Sequence, residues 1–287
     1  MQFRAEAALL AVTIVWGGTF LAVQYAMSLS EPLFFVGLRF AIAAAVALIV
    51  AGKSLKDVTR YEIFAGCTIG ISICAGYTLQ SEGLRHVLSS ESAFITALYV
   101  PIVPILQWAL LRRPPNAATW AGAGLAFAGM TLIGTDGAGL DALGWGELIT
   151  LASAFVFAGE ILLIGYFAPR VDARRVTAIQ LAATSVLAFT LMPVFGEVSP
   201  PAVPWQLLAV AGALGLASSI IQLTMNWAQK FVSPARATII YASEPVWAAL
   251  VGLAAGERLG VLGWFGGGLV LAGVLVSEIR KKGQPRE

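Results

Sequence analysis

The sequence predicts an all-α polytopic membrane protein, ten transmembrane helices arranged as two inverted five-helix repeats with both termini cytoplasmic. Three observations lead there. Of 287 residues, 58% are strongly apolar and only 12% are Asp, Glu, Lys or Arg, about half the roughly 25% charged share of a soluble domain. Apolar runs succeed one another almost to the end of the chain, so the excess is not one signal peptide or one anchor. Basic residues fall into short clusters between those runs. A β-barrel would show alternation, whereas Ala41 to Val50 is apolar on both faces.

At roughly 20 residues per crossing, the runs between charge, Pro and Gly signals define the spans in order. Span 1 covers 6–26, after Arg4; span 2 covers 33–52, before Lys53, Lys56 and Arg60. Spans 3 and 4 cover 62–83 and 90–111, with Arg85 between them and Arg112 and Arg113 after. Spans 5 and 6 cover 117–135 and 144–166, the latter followed by Arg170, Arg174 and Arg175. Spans 7 and 8 are 176–195 and 203–225; span 9, 234–255, starts between Lys230 and Arg236. Span 10, 261–279, leads into a basic tail, 280–287, with Arg280, Lys281, Lys282 and Arg286. The other side holds Arg85 and Arg258 against Glu31, Asp136, Asp141, Glu197 and Glu257, so the Lys/Arg rule places both termini in the cytoplasm.

Two segments 144 residues apart match. Trp120, Gly122, Gly124, Leu125, Ala128 and Gly129 align with Trp264, Gly266, Gly268, Leu269, Ala272 and Gly273, and Pro101 with Pro245. The chain thus divides into repeats 1–135 and 144–279. Five spans each is an odd number, so the second repeat is expected to insert upside down relative to the first, a geometry suited to alternating access. The glycines are read as close helix contacts, as are Gly66 and Gly70.

The residues in this order resemble the drug/metabolite transporter superfamily, EamA family. The likeness rests on Trp16-Gly17-Gly18 with Phe20, on Arg39, on Pro101 and Pro104, on Glu244-Pro245-Val246, on Gly256-Glu257-Arg258-Leu259 and on the two glycine-rich closing spans. Arg112 and Arg113 depart from it, standing where such repeats carry an acid. The resemblance implies secondary transport of small metabolites across a bacterial cytoplasmic membrane, with export of aromatic or hydrophobic amino acids as the narrower expectation. Sugar, nucleotide-sugar or multidrug transport on the same fold is the alternative.

Polar residues at membrane depth are costly and mark candidate sites. Arg39 is a counter-charge for a substrate carboxylate or else a structural clamp; its counterpart, 141 residues on, is Gln180. Tyr77 and Gln80 share one helical face, Tyr99 lies in span 4, and Gln222, Asn226 and Tyr241 form the comparable set in the second half. With Trp16 and Glu244 these are the expected substrate-binding residues, amides orienting a polar head and rings covering an apolar part. The other reading of each is interhelical bonding or interfacial anchoring. Pro101, Pro104 and Pro245 are the expected hinges, since each lacks a backbone donor. Glu160 is expected to pair with a basic loop residue.

Other classes lack their residues. Eighteen basic against sixteen acidic side chains form no one-sided patch for nucleic acid. Two cysteines and one histidine leave nothing for a metal site, so no metal or cofactor is expected. No GxxxxGK[ST] loop is present, and no nucleophile elbow or acidic pair makes it an enzyme. The expected partners are a small-molecule solute and membrane lipid, with no nucleic acid and a monomeric state.

Overall fold

A computed structural model describes residues 1–111, 117–135, 143–197 and 203–277. In these, twelve α-helices follow in chain order. They are α1 (Gln2–Met27), α2 (Pro32–Ala51), α3 (Arg60–Gly83), α4 (Ser89–Thr96), α5 (Tyr99–Leu111), α6 (Ala117–Thr135), α7 (Trp145–Phe167), α8 (Ala173–Leu191), α9 (Trp205–Ala228), α10 (Pro234–Tyr241), α11 (Glu244–Ala254) and α12 (Val261–Ser277).

The ten-crossing expectation is corrected. Among the described residues, seven helical stretches are long and apolar enough to cross a membrane: Gln2–Met27, Pro32–Asp57, Arg60–Gly83, Ser89–Ala109, Trp145–Arg170, Trp205–Ala228 and Pro234–Ala254. α6 and α12 contribute only shorter apolar stretches, Trp120–Ile133 and Val261–Val276. α8 fails by polarity: it opens on Arg174 and Arg175 and buries Thr177, Gln180, Thr184 and Ser185. The inversion of two five-helix repeats was read from an odd number of spans in each half, and the cytoplasmic termini from Lys/Arg clusters set between ten spans; seven qualifying stretches among the described residues withdraw both. Arg112, Arg113, Asp136, Asp141 and the basic tail lie outside the described residues.

α8 keeps its polar side chains because its neighbours satisfy them. It packs against both α2 and α3. Thr184 Oγ1 donates to the Gly70 carbonyl at 3.0 Å, and Ser185 Oγ to the Gly37 carbonyl at 2.9 Å. A Cβ on Gly70 would stand 2.7 Å from the Gln180 carbonyl oxygen, so the glycine is what lets α3 lie directly on α8. In a bilayer such bonds between backbone and small hydroxyls hold helices together where apolar burial gives little drive.

The duplicated glycine segments meet each other, as α6 packs along α12. A Cβ on Gly129 would lie 2.5 Å from the Gly266 oxygen, one on Gly266 2.6 Å from the Gly129 oxygen, and one on Gly273 2.5 Å from the Gly122 oxygen. Gly124 and Gly268 have nothing within 4 Å of such a Cβ. Only part of the repeated motif is therefore a crossing surface.

Helix ends are capped from distant loops. Glu197 accepts from Leu33 and Phe34 N–H, both at 3.0 Å, at the start of α2. Glu257 accepts from the N–H and hydroxyl of both Ser89 and Ser90 at 2.6–3.2 Å, at the start of α4. Carboxylates satisfy the free donors of a helix start and its positive dipole end. Thr59 and Glu62 form a capping box on α3, and Glu62 also pairs with Arg175 at 3.3 Å. Asp172 caps α8. Partial burial alone would raise its carboxyl, but bonds from the Arg174 side chain and from backbone N–H groups outweigh that and hold it below the ordinary range.

Candidate functional site

Two of the seven candidate membrane-spanning stretches are broken within their length. α4 gives way to α5 at Ala97–Leu98, and α10 to α11 at Ala242–Ser243, each through short i to i+3 turns. Pro101 is the third residue of α5 and Pro245 the second of α11, while Pro104 lies inside α5. Pro lacks the N–H that would continue the ladder, and Pro101 and Pro245 each sit just after a break. Ser243, in the second break, shares a 2.9 Å hydrogen bond with Thr13 on α1.

The breaks bring the first residues of α5 and α11 together. Tyr99 Oη donates to Glu244 Oε2 at 3.0 Å, with both residues buried. Trp16 of α1 meets Tyr241 edge-on, ring centroids 5.7 Å apart. Gln229 Nε2 donates to the Tyr241 hydroxyl at 3.5 Å. Gly17 explains the approach of α1: a Cβ there would be 2.9 Å from the Glu244 carbonyl and 2.6 Å from Trp247 Cβ.

A second cluster lies on one stripe of α9. Ser218, Gln222 and Asn226 recur every four residues and so share a face. Arg39, on α2 and 1% exposed, donates from Nε to Ser218 Oγ at 2.8 Å. Its guanidinium lies 4.8 Å from the Tyr77 ring and 5.4 Å from that of Phe40, a cation–π arrangement that partly replaces lost water. Tyr77 packs edge-on to Phe40 and Phe157. One turn further, Gln222 Oε1 accepts from Gln180 and its Nε2 donates to Glu160 Oε1, both at 2.8 Å. Asn226 Nδ2 reaches Thr177 Oγ1 and Gln180 Oε1, each at 3.1 Å.

Every predicted binding residue is buried: Trp16, Arg39, Tyr77, Gln80, Tyr99, Gln222, Asn226, Tyr241 and Glu244 are all at most 5% exposed. Gln80 stands apart from the α9 stripe, donating to Thr96 Oγ1 of α4 at 3.4 Å. The expected pairing of Glu160 with a basic loop residue is corrected, since its partner is Gln222 of α9. Sequence reasoning missed Glu160, Thr177, Ser218 and Gln229 as members. The available signal was the four-residue spacing of Ser218, Gln222 and Asn226, which marks a polar stripe but not what meets it.

Several buried atoms in these clusters have no hydrogen-bond partner among the described residues: Arg39 Nη2, Glu160 Oε2, Asn226 Oδ1 and Gln229 Oε1. Such groups are costly at membrane depth. A groove of about 690 Å³ opens elsewhere, between α2, α3, α7 and α8, and none of the predicted residues lines it. Among the described residues, no three His, Cys, Asp or Glu side chains group to hold a metal.

Comparison with known proteins places this geometry. The sequence profile of the EamA-like transporter family matches twice, over residues 4–135 and 144–278. An uncharacterized transporter of Archaeoglobus fulgidus is 27% identical over 281 residues, 97% of this chain and 87% of that protein. The uncharacterized inner membrane transporter YedA of Escherichia coli strain K12 is 24% identical over 287 residues, covering 96% and 90%. A solved crystal structure matches with a TM-score of 0.70 over 97% of both chains at 20% identity, a likeness of fold.

Proposed function

The chain belongs to the EamA-like transporter family, and on that premise we propose that it exports amino acids with aromatic or hydrophobic side chains by alternating access. It is a multi-pass membrane protein and a secondary transporter of small solutes. The observation that carries the narrower reading is Arg39. It is a fully buried guanidinium held by Ser218 and two aromatic faces, with Nη2 left unpartnered, and a carboxylate is its natural complement.

Trp16, Tyr77, Tyr99 and Tyr241 supply apolar surface with polar tips, which suits an aromatic or branched side chain. Gln80, Gln222, Asn226 and Glu244 orient the polar end. Each of the two repeats, 1–135 and 144–279, contributes one broken crossing, and Pro101, Pro104 and Pro245 are the hinges about which the halves rearrange. Broken helices at a midplane site are a recurrent feature of carriers. Likeness to an inner membrane transporter supports a bacterial cytoplasmic membrane as the location, and the working unit proposed is a monomer in lipid.

The test is counterflow into liposomes holding the purified protein, with phenylalanine, leucine, serine, glucose and a nucleotide sugar compared. Saturable exchange of phenylalanine and leucine above the rest is expected. Exchange of the sugar or nucleotide sugar without amino acids would replace this reading with the carbohydrate one.

A further inference from the structure

Glu160 lies about two turns inside the C-terminal end of α7 and is 1% exposed. One of its oxygens accepts from Gln222; the other, Oε2, accepts from nothing among the described residues. The amide chain leading to it runs one way. Asn226 Nδ2 is spent on Thr177, Gln180 and the Gln222 carbonyl, Gln180 Nε2 on Gln222, and Gln222 Nε2 on Glu160. The atoms left over are acceptors: Glu160 Oε2, Asn226 Oδ1 and Gln229 Oε1. Gln229, just beyond α9, reaches towards α7 five residues past Glu160, since a Cβ on Gly165 would lie 3.2 Å from its Oε1.

A buried site with a carboxylate and two amide oxygens to spare, and its N–H groups consumed internally, selects a cationic donor. We infer that α7, α8 and α9 form a primary-ammonium subsite, with Glu160 as the charge partner and Asn226 and Gln229 as further acceptors. An ammonium offers N–H donors on a compact charge and no acceptor, the complement of groups that have only acceptors to spare. Arg39 makes the opposite end. It is anchored on Ser218, four residues or about 6 Å of helix rise before Gln222, so carboxylate and ammonium groups of one α-amino acid span the two. This rests on the amino-acid reading above, and it adds Glu160 and Gln229, which that reading did not use.

The test is calorimetric titration of the purified full-length protein with 2-phenylethylamine and its neutral isostere 2-phenylethanol. The amine is expected to bind at least about tenfold more tightly, the worth of one charge-assisted hydrogen bond, and Glu160→Gln to bring the two within about twofold. Equal affinities in the wild type, or an amine preference that survives in a monodisperse Glu160→Gln variant, overturn the subsite; so does sodium binding that displaces no amine. If Glu160→Gln does not fold, Glu160→Asp keeps the charge but withdraws it by one methylene, and is expected to weaken the amine and leave the alcohol unchanged. The two readings fail separately. Phenylalanine exchange in liposomes without amine preference removes the subsite alone. Amine preference with phenylalanine binding no tighter than the amine removes the amino-acid reading alone.

Discussion

Tyr99 and Glu244, 145 residues apart, open the second segments of two broken crossings and are joined by a single 3.0 Å hydrogen bond. Each is the first residue of its helix segment, so the bond ties the two breaks to each other. Phe has the shape of Tyr without the hydroxyl. Tyr99→Phe is therefore expected to fold, lose about 1–3 kcal/mol because a buried carboxylate oxygen is left unpaired, and transport more slowly. Glu244→Gln keeps an acceptor for Tyr99, so it should recover the stability without recovering transport if the charge matters. Melting temperature and liposome counterflow measured on both variants separate the two effects.

Arg39→Lys tests shape at constant charge. A lysine ammonium cannot reproduce both the Nε bond to Ser218 and the flat contact with Tyr77. Uptake of a carboxylate-bearing solute should fall about tenfold or more, the loss of one charge-assisted bond. Wild-type rates in Arg39→Lys would show that charge alone suffices and remove the fork geometry from the mechanism.

The crossing of α6 and α12 predicts a position-specific glycine pattern. Gly129→Ala and Gly273→Ala, whose new methyls would press on backbone across the crossing, should destabilise by about 1–3 kcal/mol each. Gly124→Ala and Gly268→Ala meet open space and should be neutral or slightly stabilising, alanine being the better helix former. Thermal unfolding in detergent reads all four, and equal effects across the set would refute the packing assignment.

Glu257 holds the start of α4 through four bonds to Ser89 and Ser90. Glu257→Ala should cost about 0.5–2 kcal/mol, the range for loss of a helix cap. Hydrogen exchange at residues 89–92 should rise while that of α9 stays unchanged. Uniform exchange across the protein would show that the cap is not local.

Asp172 predicts an acid limb. Its folded-state affinity for protons lies below the ordinary carboxyl value, so its capping contribution is complete above about pH 4, near the unfolded value. It is lost as pH falls through the lower folded value. The difference in melting temperature between wild type and Asp172→Ala should be flat from pH 7 to 5 and close below that. A constant gap down to pH 3 would contradict the assignment.

The residues that line the candidate site were legible one at a time and their pairings were not. Trp16, Arg39, Tyr77, Gln222 and Glu244 stand out because polar or aromatic groups in apolar runs are costly, and all are buried. Nothing local could say that Tyr99 meets Glu244, or that Glu160 meets Gln222 62 residues away. Such contacts depend on which helices are neighbours, and one sequence carries no signal for that.

Composition and run length by themselves determined a helical membrane protein, because burial of apolar side chains in lipid is nearly additive along the chain, and the ordered motifs carried the resemblance to its family. Tertiary structure alone decided which helices are neighbours, and why a helix as polar as α8 lies against α2 and α3. Hydropathy averages a helix over all its faces, whereas the cost of a polar group depends on what that one face touches. Gly70 and Gly37 offer their carbonyls to Thr184 and Ser185, and neighbours of that kind exist only once the chain has folded.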